Sequence, residues 1–133
     1  MLVEKEIQQM LSQLAGGDLI KIPFDGSDIM IRIIDEASKL SLSALVYEGD
    51  NYMPNSVRQC LSRKSPFFHP TIFTFLSIDE QLFQVRLHFL GQAQELNHRH
   101  FKELLEEFGV IAEKWRLYLE EYDKHDLIYV RVK

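Results

Sequence analysis

Histidine and glutamate side chains give the closest approach to a metal-binding motif in this sequence. His98 and His100 are separated by one residue, and Glu95 and Glu103 flank them. Imidazole and carboxylate groups both bind zinc, but residues i and i+2 of a helix point to different faces and converge poorly on one ion. The spacing favours a solvated helix start over a metal site, so we expect no metal and no other cofactor.

The remaining histidines and the one cysteine are the candidates for acid–base or nucleophilic catalysis. His88 falls on the polar face of a predicted strand, His125 lies in a charged run, and His69 precedes a proline that shapes a turn. Cys60 shares a helical stripe with Val57, and a free cysteine behaves as a small buried hydrophobe more often than as a nucleophile. All four residues are interpreted as structural or surface positions.

Two adjacent carboxylate pairs, Glu106-Glu107 and Glu120-Glu121, also have the composition of an acid–base pair. Helical neighbours point about 100° apart, so each pair suits the solvated side of a helix better than a shared catalytic task. No glycine-rich phosphate loop, nucleophile elbow, Cys-x-x-Cys pair or His-Glu-x-x-His helix occurs. The sequence therefore predicts a protein that is not an enzyme.

Length and charge restrict the classes of protein that remain. The chain has 133 residues, of which 46% are hydrophobic and 26% charged, which is typical of one globular domain spanning 1–133. Its net charge is −5, and its basic residues are scattered singly, so nucleic acid is not an expected partner. One cysteine permits no intrachain disulfide, and neither a signal peptide nor an apolar run of membrane-spanning length occurs, which favours the cytoplasm.

The first half of the chain alternates between helical and strand periodicity. Residues 3–14 have one apolar stripe (Val3, Ile7, Met10 or Leu11, and Leu14), and a Gly-Gly pair follows as a helix stop. Three runs with strand composition come next, and the first two are joined by the turn-forming residues 25–28. The predicted strands are Leu19 to Phe24, Ile29 to Ile34, and Leu40 to Tyr47.

The second half begins with a short helix that starts at residues 54–56 and ends before Pro66. A hairpin, a long helix and a last run of strand composition are predicted after it: Thr71 to Ser77 paired with Leu82 to Leu90, a helix from Leu96 to about Tyr122, and a possible terminal strand from Leu127 to Val132. The fold class is α+β. The order is helix, three antiparallel strands, short helix, hairpin and long C-terminal helix.

The second hairpin has more apolar surface than one covering layer can bury. Phe73 and Phe75 alternate with Ile72, Thr74 and Leu76, so large side chains occur on both faces. A strand that is apolar on both faces indicates a subunit interface. The alternation therefore predicts a homodimer.

The last long helix carries the most specific family pattern. Its residues 101–119 read FKELLEEFGVIAEKWRLYL, with a phenylalanine followed by Ala-x-x-Trp-Arg-x-x-Leu. This residue pattern resembles that of the class I chaperones of bacterial type III secretion, the Tir-chaperone family. The order of elements over residues 1 to 125, the small size and the acidic pI resemble that family as well. The resemblance implies a homodimer that binds an extended N-terminal segment of one or more secreted effectors and keeps them soluble and secretion-competent. A non-secretory regulatory or scaffold domain with a similar fold is the alternative.

The resemblance also suggests which apolar residues make each contact, with ordinary intrachain core as the alternative for every one. The predicted dimer interface comprises Val57, Cys60, Leu61, Phe73, Phe75, Phe83 and Val85. The predicted effector-binding residues are Ile7, Leu11, Leu14, Ile29, Ile31 and Ile33.

Overall fold

A computed structural model of the chain describes residues 4–24, 27–34, 38–49, 55–60, 72–93 and 97–132, and describes the side chains of 5–23, 28–34, 38–49, 57–59, 72–93 and 97–120. The elements follow the predicted order. They are α1 (Glu4–Ala15), β1 (Ile20–Phe24), β2 (Ser27–Ile34), β3 (Lys39–Glu48), α2 (Asn55–Cys60), β4 (Thr74–Asp79), β5 (Gln84–Gln92) and α3 (His98–Val132).

Helix α1 ends where the sequence predicts, because glycine supplies the backbone conformation that the end requires. Gly17 has a φ of 88° and donates its N–H to the carbonyl of Leu14 at 3.0 Å. Asp18 donates to the carbonyl of Gln13 at 3.2 Å, which completes a Schellman cap. The capped helix places Ile7 and Leu14 on one buried stripe.

The five strands form one antiparallel sheet in the order β1-β2-β3-β5-β4. Period-two alternation sends Leu40, Leu42 and Ala44 of β3 to the buried face, and α1 and α3 cover that face. The core also takes Val57 of α2, which packs against α3. The opposite face is called the outer face below.

Helix α3 supplies the largest side chains of the core. Its start is capped by Asn97, whose Oδ1 accepts the N–H of His100 at 2.9 Å. Phe101, Phe108 and Leu119 then recur at helical spacing and are fully buried. Burial of one stripe over these turns anchors the helix across the sheet, as the sequence predicts.

The prediction of a possible terminal strand from Leu127 to Val132 is wrong. The backbone of α3 continues as helix to Val132. Branched and aromatic residues favour strands only where a neighbouring strand accepts their hydrogen bonds, whereas a helix satisfies those bonds within the segment itself. An established helix therefore extends through a segment of strand-like composition.

Gly91 of β5 lies under the ring of Phe89, and this close contact gives a test of the sheet packing. A Cβ at residue 91 would lie 2.6 Å from the ring Cζ of Phe89, which itself packs against the core. We expect Gly91→Ala to lower the free energy of unfolding by about 1 to 3 kcal/mol, measured by urea denaturation, because the ring must move. In a Phe89→Leu background the same substitution should cost clearly less, and an equal cost in both backgrounds would contradict the contact.

Candidate functional site

The outer face of β4 and β5 carries exposed aromatic and apolar side chains. Phe73 is 80% exposed, Phe75 45% and Leu90 46%. Phe75 pairs with His88 across the two strands, and Phe73 immediately precedes Thr74, which pairs with Phe89. We call Phe73, Phe75, His88 and Leu90 the hairpin patch. Clustered exposed apolar residues of this kind mark interaction sites.

The hairpin patch lies at an edge of the sheet that differs from the other edge. Strand β1, at the far edge, contains Pro23, which has no N–H to donate to an added strand. Strand β4 has no proline, and its side chains alternate between half-buried and exposed. Among the strands that the structure describes, β4 pairs on one side only. This edge can therefore accept a strand from a partner.

His88 is held within the patch by two neighbours on β4. Its ring stacks on Phe75 with centroids 5.1 Å apart, and its Nε2 lies 2.7 Å from Oγ of Ser77. Burial lowers the pKa of His88 below its ordinary value, and the positive charge of Arg86 lowers it further. The lowered pKa favours the uncharged imidazole, which suits an apolar surface.

The lowered pKa of His88 predicts a loss of stability in acid. The unfolded chain keeps the ordinary pKa of about 6.5, so between that value and the lower folded pKa it binds more protons than the folded chain. Stability should be complete above pH about 6.5 and fall as the pH drops toward the folded pKa. Urea denaturation of the wild type and His88→Gln at several pH values should show a smaller loss in the variant. Parallel curves would contradict the assignment.

The predicted dimer-interface residues occupy different environments. Phe73 and Phe75 belong to the hairpin patch, whereas Val57 and Val85 are fully buried within this chain. Phe83 is half-buried, has a φ of 54°, and its carbonyl accepts the N–H of Gly49 at 2.8 Å. Leu61 and the side chain of Cys60 lie outside the described residues. Of the members whose side chains are described, the two exposed phenylalanines are therefore those placed to contact a second molecule without a change in the core.

Most of the predicted effector-binding residues lie in the core, which is the alternative the sequence left open for them. Their exposed fractions are at most 2%: Ile7, Leu14, Ile29 and Ile31. Leu11 and Ile33 are partly buried and pack against the same core. The four buried side chains cannot contact an effector while the core keeps this packing. The periodicity of the sequence identified the apolar face of each element, but it did not show whether other parts of the same chain cover that face.

The side chains considered for chemistry occupy separate places. His100 belongs to the cap of α3, and Glu103 accepts a hydrogen bond from Arg99 at 3.1 Å. Glu107, predicted to be solvated, accepts the N–H of Ile72 at 3.1 Å and so ties the approach to β4 onto α3. Within the described part of the chain no three metal-binding side chains cluster. His69, Glu95 and the side chains of Cys60, Glu121 and His125 lie outside the described residues.

Within the described ranges, no helix is long and apolar enough to cross a membrane.

No protein-family model matches the chain, and no curated protein matches it significantly.

Solved structures, in contrast, share the fold over most of the chain. A chain of the ExsC–ExsE complex is 20% identical with a TM-score of 0.64, covering 90% of this chain and 97% of that one. A chain of the HopA1–SchA chaperone–effector complex is 14% identical with a TM-score of 0.57, covering 84% and 88%. A chain of the heterodimeric ExoU–SpcU complex, from the type III secretion system of Pseudomonas aeruginosa, is 11% identical with a TM-score of 0.59, covering 91% and 97%. The chain therefore shares its fold with chains of these three complexes, and the predicted α+β fold class is confirmed.

Proposed function

We propose that this chain is a type III secretion chaperone. It acts as a homodimer, binds an extended N-terminal segment of one or more effectors, and keeps them soluble and secretion-competent in the cytoplasm. The observation that carries the proposal is the fold, which is shared over 84–91% of this chain with proteins solved in complexes, one of them described as a chaperone–effector complex. No catalytic activity is part of the proposal.

The hairpin patch supports a function in protein binding. It brings two phenylalanines, a leucine and a histidine together on the outer face of the edge strand β4 and its neighbour β5. Main-chain pairing at such an edge supplies affinity, and alternate side chains supply contact with the partner's surface. In the proposed dimer Phe73 and Phe75 contact the second copy, and the effector segment binds the remaining partly exposed apolar surface, including Leu11 and Ile33.

An extended cargo suits a chaperone that has no source of chemical energy. An unfolded segment makes many weak apolar and main-chain contacts over a long path, and ordering it consumes part of the binding free energy. The complex is then stable enough to protect the segment, yet the segment can be withdrawn residue by residue. A folded, dimeric scaffold is sufficient for this role.

Protection of an effector segment from protease tests the proposal. The chain should be co-expressed with the product of a neighbouring gene, the complex purified and digested, and the protected fragment mapped by mass spectrometry. We expect protection of an N-terminal effector segment that is digested in effector preparations without this chain. Recovery of folded partners only, with no N-terminal segment protected, would contradict the proposal and support a regulatory or scaffold domain of the same fold.

A further inference from the structure

A pocket of about 580 Å³ is lined by residues of β1, β2, β3 and β5 and of the later turns of α3. Its apolar lining comes from β2 and β3 and includes Met30, Leu45 and Tyr47. Charged side chains from five elements surround that lining: Lys21, Asp28, Glu48, Arg86, Arg116 and Glu120. The volume lies within the range of ligand-binding pockets and accommodates a few residues of a peptide.

Most of the charges around this pocket already have partners. Lys21 and Asp28 form an ion pair at 3.3 Å, and Glu48 accepts a hydrogen bond from Gln84 at 2.7 Å. Arg116 and Glu120 also make contacts of their own. Arg86 differs, because no carboxylate of the described residues forms an ion pair with it. With respect to the part of the chain that the structure describes, it is therefore the cation of this pocket that is available to an incoming anion.

Arg86 also lies close enough to His88 for its positive charge to act on the imidazole. The two residues are on the same face of β5, two positions apart, and Arg86 lowers the pKa of His88. The other neighbours of His88 on the outer face are uncharged: Phe75 and Ser77 on β4, and Ser43 on β3. A carboxylate bound to Arg86 would weaken this field.

We propose that the pocket binds a short peptide segment in which an acidic side chain is flanked by apolar ones. Arg86 binds the carboxylate through its planar guanidinium, while Met30, Leu45 and Tyr47 receive the neighbouring apolar side chain. The apolar lining favours a peptide over a small inorganic anion, which would leave that surface exposed to water. The inference deepens the proposed function, because the segment is part of the effector.

Two peptides that differ only in a side-chain carboxylate or amide test the pocket directly. The probes are Ac-Ala-Leu-Glu-Leu-Ala-NH2 and its counterpart with glutamine in place of glutamate, titrated into the full chain and followed by NMR. We expect the glutamate peptide to shift the methyl signal of Met30, to raise the pKa of His88, and to bind about fivefold more tightly than the glutamine peptide. Equal binding of the two peptides, or no shift at Met30 with either, would overturn the proposal. Acetate and phosphate serve as further probes, and equal effects from them would assign the site to free anions and overturn it as well.

Two matched arginine variants test whether the pocket contributes to binding of the effector. Arg86→Gln should weaken the effector complex about fivefold, whereas Arg32→Gln, an exposed arginine of the same face that does not line the pocket, should change its affinity less than twofold. If Arg86→Gln leaves the affinity unchanged while the wild type protects an effector segment, the pocket proposal fails and the chaperone function stands. If the wild type protects no segment, the chaperone function fails, and the peptide titration decides the pocket by itself.

Discussion

Replacing Trp115 with alanine should lower the free energy of unfolding by about 3 to 5 kcal/mol. The indole is only 5% exposed, and its ring meets that of Tyr118 edge-on with centroids 5.7 Å apart. Truncation removes buried apolar surface and leaves a cavity between α3 and the sheet, which the surrounding side chains fill only in part. Urea denaturation followed by circular dichroism would measure the change.

Leu117 is the matched control for this prediction, because it lies two residues away on the same helix but is 55% exposed. Leu117→Ala should change the free energy of unfolding by less than about 0.5 kcal/mol. Comparable losses in the two variants would mean that helix disruption, rather than core packing, determines the effect. A near-neutral Trp115→Ala would contradict the packing of α3 against the sheet.

The arrangement of helices and strands could be predicted from the sequence, because local periodicity determines each element. Alternation along β3 predicted its buried face, and the apolar stripe of α3 predicted the burial of Phe101, Phe108 and Leu119. The observed bounds of the helices and strands differ from the predicted bounds by a few residues, as expected where helix capping and strand pairing compete to set the end of an element. The last segment was wrong because β propensity depends on a neighbouring strand, and a preceding helix can extend through it instead.

The environment of the candidate sites could not be predicted in the same way. The contact of Glu107 with the backbone of Ile72 spans 35 residues, and the contact of His88 with Ser77 depends on the β4–β5 register. Likewise, Arg86 gains its place in a pocket from elements that are distant in sequence. Periodicity indicates which face of an element is apolar, but only the packing of all elements decides whether that face is core or surface.

The low identity to the solved structures is consistent with how this fold is specified. Chains that are 11–20% identical share the architecture over most of their length, so few individual residues are required for it. A core tolerates many substitutions that keep its volume and patterning. The surface is therefore the place where such proteins can differ in partner, and the hairpin patch and the Arg86 pocket are surface features of this chain.

Replacing both Phe73 and Phe75 with serine should convert the proposed homodimer into a monomer that remains folded. The two rings are exposed in the single chain, so they contribute little to its own stability, but buried aromatic residues at interfaces each contribute about 2 kcal/mol or more. Loss of one such contact weakens association about 30-fold, and loss of both weakens it further unless the two are coupled. Sedimentation equilibrium over a range of concentrations would measure the dissociation constant.

The control for the dimer is Val110→Ser with Leu117→Ser, which removes exposed apolar side chains from α3 instead of the hairpin patch. This variant should keep the wild-type dissociation constant, since the proposed interface lies on the outer face of the sheet. Circular dichroism of both variants separates loss of association from loss of folding. A wild-type chain that sediments at 15.7 kDa at every concentration would refute the homodimer, and an unchanged dimer in the phenylalanine variant would place the interface elsewhere. Because the ring of Phe75 stacks on His88, the outcome also decides whether the stacked imidazole belongs to a subunit interface or to a surface left for the effector.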